Sequence, residues 1–116
     1  MTFLRHTIKI LRTLPFVLAL TSHHALAATY TVTTTSDSGA GSLRQAITDA
    51  NNNSGLDTIN FNIAPSGAKT LNVSSGGLPT ITSPVIIDGT SQPGFTSAPI
   101  VQLNGTSAGG GGASAF

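Results

Sequence analysis

Asp57-Thr58-Ile59-Asn60-Phe61-Asn62-Ile63 is the stretch on which the fold turns. In an extended chain successive side chains point to opposite faces. Ile59, Phe61 and Ile63 would therefore line one face, and Asn60 and Asn62 the other. The stretch predicts a strand with one buried face, and its neighbours on either side have to supply the cover.

Upstream, Ser42 and Gln45 stand at the spacing of a capping box, in which the hydroxyl and the side-chain amide reciprocally satisfy two orphan N–H groups. Leu43, Ala46, Ile47 and Ala50 follow at i, i+3, i+4 and i+7 and make one narrow apolar face. Asn51-Asn52-Asn53-Ser54-Gly55 supplies a stop, so a helix is predicted from residue 42 to about 52. A helix that short is marginal alone; it must dock on apolar surface. Before it, residues 30–35 (Tyr-Thr-Val-Thr-Thr-Thr) are dense in β-branched side chains and predict a strand, ended by Asp37-Ser38-Gly39-Ala40-Gly41.

Downstream, Leu71 and Val73 repeat the alternation on a smaller scale. Val85-Ile86-Ile87 and Ile100-Val101-Gln102-Leu103 are further strand candidates, each preceded by Pro and followed by Asp-Gly or Asn-Gly. They belong to a faint repeat, residues 82–91 resembling residues 96–107, which points to stacked units. Parallel coils are expected. The rival is an antiparallel arrangement in which Asp88-Gly89 and Asn104-Gly105 form type I′ hairpin turns; strand polarity separates the two. After Ser107, Ala108 and four glycines lead into Ala113-Ser114-Ala115-Phe116, read as a Gly-rich tail over residues 108–116.

The N-terminus reads as an export signal. Arg5, Lys9 and Arg12 make it basic, Thr13-Leu14-Pro15-Phe16-Val17-Leu18-Ala19-Leu20 is a short apolar stretch, and Ala25-Leu26-Ala27 puts small residues at −3 and −1 of a peptidase site. A spanning helix needs about 20 mostly apolar residues, and this run is far shorter. Residues 1–27 are thus expected to be a cleaved signal peptide, leaving residues 28–107 as one small domain ahead of the tail. No membrane span is expected after cleavage. Beyond residue 27 the charged side chains are Arg44 and Lys69 against Asp37, Asp49, Asp57 and Asp88, a net charge of −2. No basic cluster can track phosphates, so nucleic acid is excluded as a partner. The same part of the chain has no His, Cys, Glu or Trp. Disulfides and the commonest general bases, thiol nucleophiles and zinc ligands are therefore missing.

Gly41-Ser42-Leu43-Arg44-Gln45-Ala46-Ile47, followed by residues 57–61, by Leu78-Pro79-Thr80-Ile81-Thr82 and by Ile87-Asp88-Gly89-Thr90-Ser91-Gln92-Pro93-Gly94, resembles a bacterial pattern. It is similar to the N-terminal region of extracellular right-handed parallel β-helix proteins of the pectin-lyase-like class, those with a CSLREA-type motif. The likeness runs from about Tyr30 to Gly105, with Gly41 where the motif has Cys and Gln45 where it has Glu. Gln45 keeps the capping role and Gly41 removes any thiol function. The resemblance implies a mainly β fold: the N-terminal portion of a right-handed parallel β-helix, its first coil covered by one amphipathic helix and the whole incomplete. Family members are much longer, so a fragment or truncated frame is expected.

The residues given structural roles are Ser42, Leu43, Arg44, Gln45, Ala46 and Ile47 in the covering helix, with Asp57, Asp88 and Gly89 at turns. Arg44 lies in the first helical turn, where a cation opposes the dipole, and is expected to pair with an Asp such as Asp37. Asp37, Asp57 and Asp88 have the chemistry of calcium ligands. Each also sits beside Ser, Thr or Gly, where Asp closes a turn with its own side chain, and that reading is preferred. Three Asn-x-Ser/Thr matches, at Asn52, Asn72 and Asn104, are discounted in a chain this rich in those residues. No catalytic, cofactor-binding or metal residue is assigned, and no cofactor is expected. The expected function is a secreted or surface-displayed structural or adhesion-type segment, with cell-surface or extracellular polysaccharide or protein ligands as partners. The alternative is a fragment of a polysaccharide-degrading lyase or hydrolase.

Overall fold

A computed structural model of the chain describes residues 26–74 and 76–109. Most of the expected leader, residues 1–25, and most of the expected Gly-rich tail, residues 110–116, lie outside the described residues.

The elements in order are β1 (Thr29–Val32), α1 (Leu43–Asn51), β2 (Asp57–Phe61), β3 (Lys69–Asn72), β4 (Val85–Asp88), a single 3-10 turn (Gly89–Ser91) and β5 (Val101–Asn104). All pairing is parallel. One sheet has the order β1-β2-β4 and the other joins β3 to β5. Thr29 lies opposite Thr58, Asp57 opposite Val85 and Lys69 opposite Val101, so partners are 29, 28 and 32 residues apart. Parallel polarity removes the hairpin rival: β4 pairs with β2, and Gly89 opens the 3-10 turn.

The right-handed parallel β-helix expected from the resemblance is corrected here. The strands make two small parallel sheets, of three strands and of two, with no closed or solenoid sheet among the described residues. Part of the reason lies between Thr80 and Ser83, where backbone groups bond to the side chain of Asn51 rather than to a strand. Asn51 Nδ2 donates to Thr80 O at 2.8 Å, and Thr82 N donates to Asn51 Oδ1 at 2.8 Å. The stacking of units expected from the faint repeat is corrected with it. Its two copies supply β4 and β5, which lie in different sheets and do not pair with each other.

The helix forms where its pattern places it. Leu43, Ala46, Ile47 and Ala50 are all buried and join Val32, Ile59, Phe61, Ile63, Leu71 and Val101 in one core. The helix packs on β1 and β2 and covers the alternating face of β2. β1 is shorter than expected, since the amides of Thr33 and Thr34 both turn to Gly41 O, at 2.9 and 3.3 Å. That turn needs glycine. Gly41 has φ +76°, and a Cβ there would lie 2.3 Å from Thr33 Oγ1.

β2 ends at Phe61, yet Ile63 is buried and its backbone is satisfied by a side chain. Gln92, 1% exposed, accepts from Ile63 N through Oε1 at 2.9 Å and donates from Nε2 to Ile63 O at 2.7 Å. Its amide stands in for the peptide group of a neighbouring strand. Ser91 does the same for one bond, accepting from Phe61 N at 2.7 Å.

Candidate functional site

The N-terminus of α1 makes half of the expected capping box. Ser42 Oγ accepts from Gln45 N at 3.1 Å and donates to Gly39 O at 2.7 Å. The reciprocal arm is replaced: Gln45 Nε2 donates to Asp49 Oδ1 at 2.8 Å, one turn on, and Ser42 N donates to Gly39 O at 3.2 Å. Since Gly39 already serves the cap amide, Gln45 is released to the exposed face.

Arg44 pairs with Asp37, as expected, at 2.8 Å. It does more than pair, donating from Nε to Asp37 O at 3.1 Å and from Nη1 to Gly77 O at 2.6 Å. Asp37 in turn accepts from Ser74 N at 3.3 Å and from Ser74 Oγ at 3.1 Å. The guanidinium and its carboxylate therefore tie the loop before the helix to the segment after β3.

The two turns of the repeat share one geometry. Asp88 Oδ1 accepts from Thr90 N at 2.9 Å, and Asn104 Oδ1 accepts from Thr106 N at 3.1 Å. Asp88 thus closes its turn with its own side chain, with Gly89 as the next residue. Asn104 Nδ2 also donates to Asn72 Oδ1 at 2.9 Å, across the pair in register between β3 and β5. Among the described residues no three acidic or histidine side chains come together.

Asp57 does not follow the turn or solvent-facing explanation. It starts the inward-facing row that continues through Ile59 and Phe61, and it is completely buried. Oδ1 accepts from Ala28 N at 2.8 Å and from Asn53 Nδ2 at 2.6 Å, while Oδ2 is buried with no hydrogen-bond partner. Near it, half-buried Tyr30 has its phenol raised above the ordinary tyrosine value, first by burial and then by the carboxylates of Asp57 and Asp49.

The remaining candidate is an apolar groove of about 120 Å³ between α1 and the two sheets, lined by Leu43, Ile47, Phe61, Leu78, Ile87 and Leu103 among others. Every lining side chain is apolar. The groove therefore offers contact to an apolar group but no proton donor or acceptor. Ile81, one of the lining residues, is about half exposed, and so is Ile86, which alternates with Ile87 along β4 and faces away from the groove. Among the described residues no helix is long and apolar enough to cross a membrane. No family model, curated protein or solved structure matches the chain.

Sequence reasoning missed Gln92 and Asn51 as well as the burial of Asp57. For Asp57 a signal was present, because it stands two residues before Ile59 and so falls on the buried face of the same strand.

Proposed function

We propose that this chain is exported, loses its leader by cleavage after Ala27, and acts outside the cytoplasm as a non-catalytic structural or adhesion-type segment, secreted or held at the cell surface. One observation carries the non-catalytic part. Of the polar side chains described above, Arg44 is engaged with Asp37 O and Gly77 O, Asn51 with Thr80 O, Asp88 with Thr90 N and Gln92 with Ile63, while Asp57 is wholly buried and faces no substrate. A general acid or base has to face a substrate. Export is supported by the order of basic, apolar and Ala-x-Ala segments at the N-terminus. The partners proposed with it are extracellular or cell-surface polysaccharide or protein ligands; nucleic acid is not proposed, because residues 28–116 carry no basic cluster.

The test is expression of the full chain in an exporting host, followed by intact-mass measurement and incubation of the product with polygalacturonate and other wall polysaccharides. A product beginning at Ala28 that releases no sugar is the expected result. A product still beginning at Met1 sinks the export reading, and release of unsaturated or reducing sugars sinks the non-catalytic one.

A further inference from the structure

A wholly buried carboxylate is costly unless a cation meets it. Asp57 is 0% exposed, and its Oδ2 has no partner. The one salt bridge among the described residues takes Arg44 to Asp37 instead. The nitrogen that does reach Asp57 is the backbone N of Ala28, 2.8 Å from Oδ1. Ala28 is also the first residue after the peptidase site read from Ala25-Leu26-Ala27. Two features with no common origin, a cleavage signal and an under-satisfied buried carboxylate, therefore meet at one atom.

We propose that Asp57 is the receptor for the α-ammonium that leader cleavage creates on Ala28, so that processing completes the folded state. The inference rests on the cleavage reading above. Hydrolysis of the Ala27–Ala28 bond by a leader peptidase consumes one water and leaves a carboxylate on Ala27. The amine left on Ala28 takes up a proton at neutral pH, where a free α-amino group, with a pKa of about 7.7–8.0, is mostly charged. A neutral amide with a single N–H is thereby exchanged for a cation with three. One N–H keeps the bond to Oδ1, and the others serve the side of the carboxylate where Oδ2 is now orphaned.

The anchoring is already in place. Ala28 O accepts from Thr58 N at 2.9 Å, and Asn53 Nδ2, which holds Asp57 Oδ1 at 2.6 Å, also donates to Leu26 O at 2.6 Å. Cleavage removes Leu26, and Asn53 keeps the carboxylate.

The experiment uses the exported product of the full chain. Its intact mass gives the N-terminus, and an amine-acylating reagent at neutral pH then gives the reactivity of the α-amine, native against denatured. The expected result is an N-terminus at Ala28 whose amine is protected on the order of tenfold or more in the native state. A second arm acetylates the α-amine selectively in denaturant at mildly acidic pH, where an unfolded chain's α-amino group is far more often unprotonated than a lysine side chain. On refolding, the acetylated protein should have a folding equilibrium constant lower on the order of tenfold or more, and Asp57→Asn should abolish that difference. If Asp57→Asn does not fold, the protection measurement decides alone. A mature N-terminus other than Ala28 overturns the cleavage reading and the pairing together. An N-terminus at Ala28 with an unprotected amine overturns the pairing alone, as does an acetylation effect that persists in Asp57→Asn.

Discussion

Replacing Gln92 with leucine tests whether one buried amide substitutes for a strand. The side chain is 1% exposed, and its two ends serve Ile63 N at 2.9 Å and Ile63 O at 2.7 Å. Leucine has a similar volume, so the cavity term is small. What remains is one N–H and one C=O left buried without partners, at roughly 1–3 kcal/mol each. Gln92→Leu should thus cost about 2–6 kcal/mol, against a total of about 5–15 kcal/mol for a typical domain. Gln45→Ala is the control, because that amide bonds only to the exposed face at Asp49 and its loss should cost within about 0.5 kcal/mol. Urea unfolding followed by circular dichroism gives both values, and amide exchange at Ile63 should rise in the leucine variant. If Gln92→Leu falls within about 0.5 kcal/mol of the parent, the amide is not acting as a ladder partner and the reasoning fails.

Ser42→Ala removes the acceptor for Gln45 N and should cost about 1 kcal/mol in the same unfolding assay; no change would mean the cap is served elsewhere. Gly41→Ala should cost about 1–2 kcal/mol from its positive φ alone. The contact with Thr33 Oγ1 adds to that, so Thr33→Ala in the same chain should recover only the added part. Tyr30 is the single tyrosine, so phenolate absorbance reports it directly, and it should titrate above the unfolded value of about 10. Because the raised group holds its proton longer when folded, its stabilisation is full below that unfolded value and is lost as pH rises through the folded one. A Tyr30 that titrates like free tyrosine contradicts the burial. Gly55→Ala would separate the precursor from the processed chain if the proposed cleavage occurs, since a Cβ there would meet Leu26 O, an atom that this cleavage would remove. Unfolding of the uncleaved chain should be eased and that of the processed chain hardly changed; equal effects on both would place the clash elsewhere.

What could be read from the sequence was local. Leu43, Ala46, Ile47 and Ala50 declare their face within three turns, and Ile59, Phe61 and Ile63 declare theirs within five residues, so both are buried where their periods put them. Arg44 found Asp37 seven residues away. The unread parts depend on partners far along the chain. Gln92 meets Ile63 at a separation of 29 residues, Asn51 meets Thr82 at 31, and Asp57 meets Ala28 at 29. An isolated Gln or Asn carries no mark of such a partner. The β-helix implied by the resemblance is not formed: the strands make two small parallel sheets, and Thr80, Thr82 and Ser83 bond to Asn51 rather than to a strand.

The spacing of the strands bears on when this chain can fold at all. A hairpin closes as soon as its turn is made, whereas here β1 has no neighbour until Thr58 is free to reach Thr29, and β2 waits for Val85. Every ladder bond therefore follows the closure of a loop of nearly thirty residues or more, and contacts of such high sequence separation form slowly. For the exported chain proposed above, the N-terminal half would still be threadable while it passes through a channel, and the sheets would assemble only on the far side.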